Sequence, residues 1–98
     1  MTLSEKQRKH LRRLGHPLHP IVTLGQSGLT DAIVQEMQRA LNDHELVKVR
    51  ARAAERASRD EMLDQLAQRT ASELVQRIGN VGLFYRPDAK LPKIVLPD

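Results

Sequence analysis

The segment formed by residues 21–30, IVTLGQSGLT, constrains the fold more than any other part of this sequence. Residues 21–24 are aliphatic or β-branched and follow a proline, which predicts a short strand. Gly25 and Gly28 enclose a loop that can adopt backbone angles closed to other residues and can be approached closely. Thr30 is a good N-cap, so a helix should begin at the next residue. This order of strand, glycine loop and helix predicts an α/β domain.

The loop between Gly25 and Gly28 is therefore expected at a helix N-terminus. Unpaired backbone N–H groups and the positive end of the helix dipole favour a phosphate there. Gln26 and Ser27 could add polar contacts to a phosphate or a ribose 2′-hydroxyl. A Gly-x-x-Gly loop alone is more often just a tight turn. Its function therefore depends on the charge around it.

Charge and composition narrow the class of partner. The chain has 98 residues, which predicts one domain over residues 1–98, and a net charge of +4, which suits a polyanion. Phe84 and Tyr85 are its only aromatic residues, so bases cannot be read by stacking on several exposed rings. If RNA is the partner, contacts should be mainly to phosphate and sugar.

Other classes of protein are disfavoured by what the sequence lacks. Without cysteine there is no disulfide framework, thiol nucleophile or cysteine-based zinc site. No apolar run approaches the ~20 residues that cross a bilayer, and the N-terminus lacks the apolar middle of a signal peptide. We therefore expect a cytoplasmic protein without membrane contact.

The first predicted helix, residues 3–14, carries most of the clustered positive charge. Ser4 and Gln7 form a plausible capping box, and Gly15 is a natural residue just beyond the helix end. His16 follows directly and could donate to a phosphate. One acid, Glu5, accompanies five cations: Lys6, Arg8, Lys9, Arg12 and Arg13. This excess favours a phosphate-binding helix.

A βαβ unit is predicted in the middle of the chain. The helix that begins at Asp31 should run to about residue 43, and a second strand should cover residues 45–52. Because strand, helix and strand alternate, the two strands should be parallel. The second strand alternates between Val47, Val49 and Ala51 on one face and Lys48, Arg50 and Arg52 on the other. The cations indicate either a polyanion site or a solvated edge.

The last third of the chain predicts a helix and a hairpin. After a loop over residues 53–57, Ser58 and Glu61 suggest a second capping box, and the helix should end near residue 71. Its acids, Asp60, Glu61 and Asp64, predict that it lies away from a phosphate surface. Strands over residues 74–78 and 81–85 are joined by Gly79-Asn80, a two-residue hairpin turn. Gly82 suggests a bulge or a close neighbour, and residues 93–96 suggest a short edge strand.

The histidines offer the main alternative to a binding protein. His16 and His19 could suggest a metal pair, but prolines separate them and no carboxylate lies nearby in sequence. The four histidines are dispersed, with no catalytic or nucleotide-binding pattern. We therefore predict no metal, no cofactor and no enzyme. An RNA-processing enzyme that uses these histidines, and an adaptor whose basic face meets an acidic protein, remain the alternatives.

Several motifs in this order resemble the bacterial YhbY proteins, which are stand-alone CRM (chloroplast RNA splicing and ribosome maturation) domains. The resemblance runs nearly end to end. Its motifs are Leu3-Ser4, the basic helix, His16-Pro17-Leu18, residues 24–30 with both glycines, residues 44–49, Ile78-Gly79 and Tyr85-Arg86-Pro87. It implies a compact α-β-α-β-α-β-β domain with a four-stranded mixed sheet, similar to the C-terminal domain of the third translation initiation factor. It also implies an RNA-binding protein that associates with precursors of the large ribosomal subunit.

The resemblance also implies where RNA binds. The family's glycine loop corresponds to Gly25–Gly28, and its basic surface to Lys6, Lys9, Arg12 and Lys48. Arg77 and Gly82 depart from the family pattern and leave the pairing of the hairpin open. The predicted RNA-binding residues are Lys6, Lys9, Arg12, Arg13, His16, Gly25, Gln26, Ser27, Gly28, Lys48, Arg50 and Arg86, with Arg52 and Arg56 as local additions. We expect a monomer, with the basic helix and the glycine loop on one side of the molecule.

Overall fold

A computed structural model describes residues 2–52 and 55–98 of the chain. Three helices and four strands follow the predicted order, and the strands form one mixed sheet, as predicted. In chain order they are α1 (Glu5–Gly15), β1 (Pro20–Leu24), α2 (Asp31–His44), β2 (Leu46–Ala51), α3 (Arg56–Thr70), β3 (Glu73–Ile78) and β4 (Val81–Tyr85).

The sheet has the strand order β1-β2-β4-β3. The strands β1 and β2 are parallel, joined through α2, so the predicted βαβ unit is confirmed. The strand β4 lies antiparallel to both β2 and β3, and the predicted hairpin is confirmed with Gly79 at a φ of +58° in its turn. The strands β1 and β3 are the outer strands.

The alternation of β2 divides the sheet into two unlike faces. Val47, Val49 and Ala51 point to one face, where they are buried against α2 and α3. We call this the closed face. Lys48 and Arg50 point to the other face, which also carries Leu83 and is contacted by α1. We call this the half-open face, because α1 and the C-terminal segment are the parts of the described chain that pack on it.

Helix α1 rests on the half-open face through a close contact at its last residue. The predicted capping box of Ser4 and Gln7 is present at its start. Gly15 does not lie beyond the helix as predicted but is its buried final residue. A Cβ atom at Gly15 would lie 2.6 Å from Cδ2 of Leu83, so glycine here lets the helix approach the sheet.

The starts of the other two helices differ in how they are capped. Thr30 caps α2 as predicted, its hydroxyl accepting a hydrogen bond from the N–H of Ile33 at 3.2 Å. The predicted cap at Ser58 was wrong: α3 begins at Arg56, and its N-cap residue, Glu55, makes no side-chain capping bond. Arginine and alanine are good helix formers, which explains the earlier start. Residues 53 and 54 of the predicted loop lie outside the described residues.

The two residues that depart from the family pattern are partners in the hairpin. Arg77 lies opposite Gly82 in the pairing of β3 with β4. A Cβ atom at Gly82 would lie 3.0 to 3.2 Å from atoms of Phe84, Leu74 and Leu63, which confirms the predicted close neighbour. The Arg77 side chain forms ion pairs with the α3 carboxylates of Asp60 (3.6 Å) and Asp64 (3.2 Å). Close packing therefore accounts for Gly82, and ion pairs with α3 account for Arg77.

The C-terminal segment is held by Glu45 and not by strand pairing. The predicted strand over residues 93–96 was wrong, since the segment has no strand pairing. Glu45 lies between α2 and β2 with a φ of 63°, and its side chain is fully buried. Its carboxylate accepts backbone hydrogen bonds from Asp88 (2.6 Å), Lys93 (3.0 Å) and Ile94 (2.8 Å).

These hydrogen bonds also decide the charge of Glu45. Burial acts to raise the pKa of its carboxyl, but the three backbone N–H donors and the Lys93 charge outweigh burial and lower the pKa below its ordinary value. The anchored segment places Ile94 against the cluster that contains Leu11, Leu83 and Tyr85. Glu45 therefore fastens the end of the chain over the α1 side of the sheet.

Candidate nucleic-acid interface

Part of the half-open face is left uncovered by α1. An open cavity of about 240 Å³ lies there, and its lining includes Lys48, Arg50, Gln76, Ile78, Val81 and Leu83. Three strands contribute these residues, so the cavity lies across the middle of the sheet. Its charged groups come from β2 because the alternation of that strand directs them to this face.

A wider cavity of about 680 Å³ continues from the first toward α1. The two cavities share Lys48, Gln76 and Ile78, and α1 and the residues after it add Lys9, Arg12, Arg13 and His16. We call the joined cavities the basic trough. Among the described residues, no Asp or Glu lines either part. The trough therefore combines five Lys and Arg side chains with no acid.

Few of these cations are neutralised. The Nζ of Lys48 donates to the carbonyl of His16 at 3.3 Å, which ties β2 to the end of α1. Arg12 forms an ion pair with Glu5 at 3.0 Å. Within residues 2–52 and 55–98, Lys9 and Arg13 form no ion pair. Arg50 has a buried Nε without a hydrogen-bond partner in the described part of the chain. The exposed side chains of Lys9 and Arg13 are available to an anion.

The remaining cations of α1 point elsewhere. Lys6 lines a separate cavity of about 280 Å³ together with Lys9, Arg13 and His10, on the side of α1 nearer the C-terminus. Arg8 forms an ion pair with Glu73 at the start of β3. Helix α1 therefore carries one cation, Arg8, in an ion pair that stabilises the fold. Its other cations include the exposed Lys6, Lys9 and Arg13.

The loop from Gly25 to Gly28 is a tight turn at the end of β1. The N–H of Gly28 donates to the carbonyl of Gly25 at 3.0 Å. Gly28 has a φ of +74°, where other residues are strained. Gly25 has no such φ, and a Cβ atom added to it would meet nothing within 4 Å. The turn requires glycine at Gly28, whereas open space surrounds Gly25.

The loop and the helix are connected through β2, and the two cavities of the basic trough are not lined by residues of the loop. Thr23 pairs with Arg50 and Leu24 with Ala51, so Arg50 lies next to the strand end that leads into the loop. Lys48 lies further back, where it contacts the carbonyl of His16. Lys48 and Arg50 thus form a line from the end of α1 toward Gly25.

Acidic residues also lie near the loop. A Cβ atom at Gly28 would be 3.6 Å from the Sδ of Met62 on α3, so α3 packs beside the glycine loop. The expectation that α3 lies away from a phosphate surface stays a prediction. Asp31, in the first turn of α2, forms an ion pair with Arg69 at 2.8 Å. The charge near the loop is therefore mixed, unlike that of the basic trough. Exposed Gln26 and Ser27 occupy its tip.

Arg86 is not brought to the other predicted RNA-binding residues. Tyr85 pairs with Leu46, so Arg86 follows β4 at the opposite end of β2 from the loop. Its guanidinium donates to the Thr70 carbonyl at 2.7 Å, to Asn42 at 2.8 Å and to Gln38. It joins β4 to α2 and α3. The expectation that Arg86 extends the basic surface is therefore not supported by its position.

Gln76 and Ile78 belong to the trough but were not predicted as site residues. Simple alternation would place Leu74, Gln76 and Ile78 on one face. The pairing of β3 with β4 shifts between Leu74 and Gln76, so Leu74 packs in the closed-face core while Gln76 and Ile78 line the trough. No signal in the sequence marks this shift.

Residues 2–52 and 55–98 contain neither a candidate metal site nor a membrane-spanning helix. In that part of the chain, no group of three or more His, Asp or Glu side chains could hold a metal ion. No helix described there has the length and apolar character to cross a membrane. His16 lies at the end of α1, where its carbonyl accepts from Lys48.

Comparison with known proteins decides the family. The model of the CRS1 / YhbY (CRM) domain matches residues 3–86. The chain belongs to the CRS1/YhbY family. This CRM domain is 43% identical over 90 residues to the probable RNA-binding protein PA4753 of Pseudomonas aeruginosa, covering 92% of this chain and 86% of the relative. It is 41% identical over 96 residues to an RNA-binding protein of Haemophilus influenzae, covering 98% and 96%.

The fold of the CRM domain is also seen in a solved structure. The solution structure of the Staphylococcus aureus protein SAV1595 is similar with a TM-score of 0.84 and 32% sequence identity, covering 98% of this chain and all of that chain. The predicted resemblance and fold class are confirmed.

Proposed function

We propose that this CRM domain binds RNA through the basic trough, with the loop from Gly25 to Gly28 extending the surface beyond Arg50. One observation carries the proposal: the trough has five Lys and Arg side chains and, among the described residues, no acid in its lining. Relatives from Pseudomonas aeruginosa and Haemophilus influenzae that are named as RNA-binding proteins support RNA as the polyanion.

The chemistry of the trough favours the RNA backbone. Each Lys or Arg that neutralises a phosphate releases a counterion, so affinity should fall steeply with salt. Lys48 is held in place by the His16 carbonyl, which positions one charge on the sheet. Lys9 and Arg13 offer exposed charges on the adjoining helix. Such contacts position RNA without reading its sequence, so the shape of a folded RNA would provide selectivity.

The family resemblance supports a finer proposal. In it, the RNA is large-subunit rRNA in a pre-ribosomal particle, and the chain acts as a monomeric, non-catalytic assembly factor in the cytoplasm. The Gly25 backbone, with open space around it, would admit a ribose–phosphate strand. Gln26 and Ser27 would add hydrogen bonds at the tip of the loop.

A charge-reversal pair tests the proposal. Lys9→Glu with Arg13→Glu should weaken binding to rRNA fragments about 150-fold or more, since two lost charged hydrogen bonds together cost roughly 3 kcal/mol or more. The slope of log affinity against log salt should become shallower. The matched control, Arg39→Glu with Lys90→Glu, makes the same charge change at exposed residues outside the trough. Fluorescence anisotropy across a salt series measures both.

The two outcomes are distinct. The trough variant should lose far more affinity than the control while both unfold at the wild-type temperature by circular dichroism. Equal losses in the two variants would mean that net charge alone attracts RNA. That result would remove the trough from the binding surface.

A further inference from the structure

The cavity over the middle of the sheet has an apolar floor that phosphate contacts do not need. Ile78, Val81 and Leu83 line it beside Lys48 and Arg50. Ile78 is 65% exposed, which is a large apolar exposure within a cationic surface. A ligand that suits this lining carries negative charge and a flat apolar surface side by side. An unpaired nucleotide has both.

The phenyl and phenol rings of the protein cannot hold such a base. Phe84 and Tyr85 are buried, at 0% and 1% exposure. The guanidinium of Arg50 is the planar group that lines the cavity, and planar guanidinium groups stack on bases as aromatic rings do. Within the described residues, no ion pair engages the Arg50 side chain.

We propose that this cavity, the base pocket, holds one unpaired RNA base, which stacks on Arg50 and contacts Ile78. The inference rests on the proposed function and deepens it. The phosphates that flank the base would run along the wider part of the trough toward Lys9 and Arg13, which the shared lining residues connect to the pocket. Gln76, on the rim, offers an amide to the edge of the base.

The test compares two oligonucleotides of equal charge. An adenylate RNA decamer and an abasic ribose–phosphate decamer are titrated into the wild-type chain at low salt. The adenylate decamer should bind about tenfold more tightly, within the range for one stacked base. Methyl NMR signals of Ile78, Val81 and Leu83 should shift with the adenylate decamer and stay in place with the abasic decamer.

Charge-conserving variants locate the effect. Ile78→Ser should reduce the preference for adenylate over abasic RNA to less than threefold and leave the salt slope unchanged. Leu91→Ser is the matched control, since Leu91 is 77% exposed and lies outside the trough. Arg50→Lys keeps the charge but loses the planar group, so it should act like Ile78→Ser. Arg39→Lys, at an exposed position of α2 outside the trough, should act like wild type.

The outcomes separate this inference from the proposed function. Equal, salt-dependent binding of both decamers would overturn the base pocket and leave backbone binding standing. Binding of neither decamer, with no shift of trough signals, would overturn both. If a polyglutamate peptide shifts the three methyl signals and adenylate RNA does not, the pocket takes an acidic protein segment and the inference fails.

Discussion

The two faces of the sheet are built from the same strands but are covered to different extents by other elements. On the closed face, α2 and α3 cover Val47, Val49 and Phe84, all of which are fully or almost fully buried. On the half-open face, α1 and the C-terminal segment cover one part, and Lys48 and Arg50 line an open cavity. A single alternating strand, β2, supplies both surfaces.

The comparison of the two faces shows how a chain of 98 residues can leave part of one sheet face uncovered and open to a ligand. Each apolar side chain buried on the closed face contributes about 1.5–3 kcal/mol, and the larger of the two clusters of buried residues lies on that face. The half-open face then tolerates cations that would be costly in a core. Gly15 keeps α1 close to Leu83 and leaves the neighbouring part of the sheet uncovered.

Replacing the carboxylate of Glu45 should reduce the free energy of unfolding more than the glycine substitutions described below. The effect should be confined to the half-open face. Glu45→Gln weakens the bonds from Asp88, Lys93 and Ile94, and we expect a loss of roughly 1.5–3 kcal/mol. Hydrogen exchange should quicken in the C-terminal segment and remain slow in α3. Glu36→Gln, at an exposed position of α2, is the control.

The difference in stability between the wild type and Glu45→Gln should depend on pH. The pKa of Glu45 is lowered from 4.5 in the folded chain, so its contribution is complete above that pH and is lost as the pH falls through the folded value. The wild type should therefore lose stability on acidification more steeply than Glu45→Gln. Parallel pH curves for the two proteins, or faster exchange in α3, would contradict the assignment of Glu45 to the half-open side.

Substitutions at Gly25 test whether the RNA-binding surface continues past the end of β1. Gly25→Asp should change the free energy of unfolding by less than about 0.5 kcal/mol, because a Cβ atom there meets nothing within 4 Å. It should weaken RNA binding several-fold by repelling a phosphate. Gly25→Ala separates bulk from charge, and Gly28→Ala should cost about 1–2 kcal/mol because of its positive φ.

The Gly25 variants can also show that the RNA-binding surface does not include the glycine loop. Unchanged RNA affinity in Gly25→Asp would restrict the binding surface to the trough. A loss of stability as large as that of Gly28→Ala would mean that both glycines serve the fold.

The features that local patterns encode were predictable. Thr30 caps α2, the valines of β2 alternate with its cations, and Gly79 closes the hairpin, since each depends on residues a few positions apart. The shift in β3 after Leu74 and the anchoring of residues 88–94 by Glu45 depend on partners distant in sequence.

The role of Arg86 likewise could not be predicted from local sequence patterns. Its charge resembles that of Arg13 in sequence, but contacts with Gln38, Asn42 and Thr70, all far away in the chain, make it structural. A basic residue can be assigned to binding only when its neighbours are known. Lys9 and Arg13 could be predicted as exposed because the helix around them is rich in cations and poor in acids.

The most direct measurement is crosslinking of lysine side chains to RNA in cells, with both the residue and the nucleotide identified by sequencing and mass spectrometry. The chain has five lysines: Lys6, Lys9 and Lys48 lie on α1 or the half-open face, and Lys90 and Lys93 lie in the C-terminal segment. We predict crosslinks from Lys9 and Lys48 to precursor rRNA of the large subunit. Crosslinks confined to Lys90 and Lys93 would contradict the account.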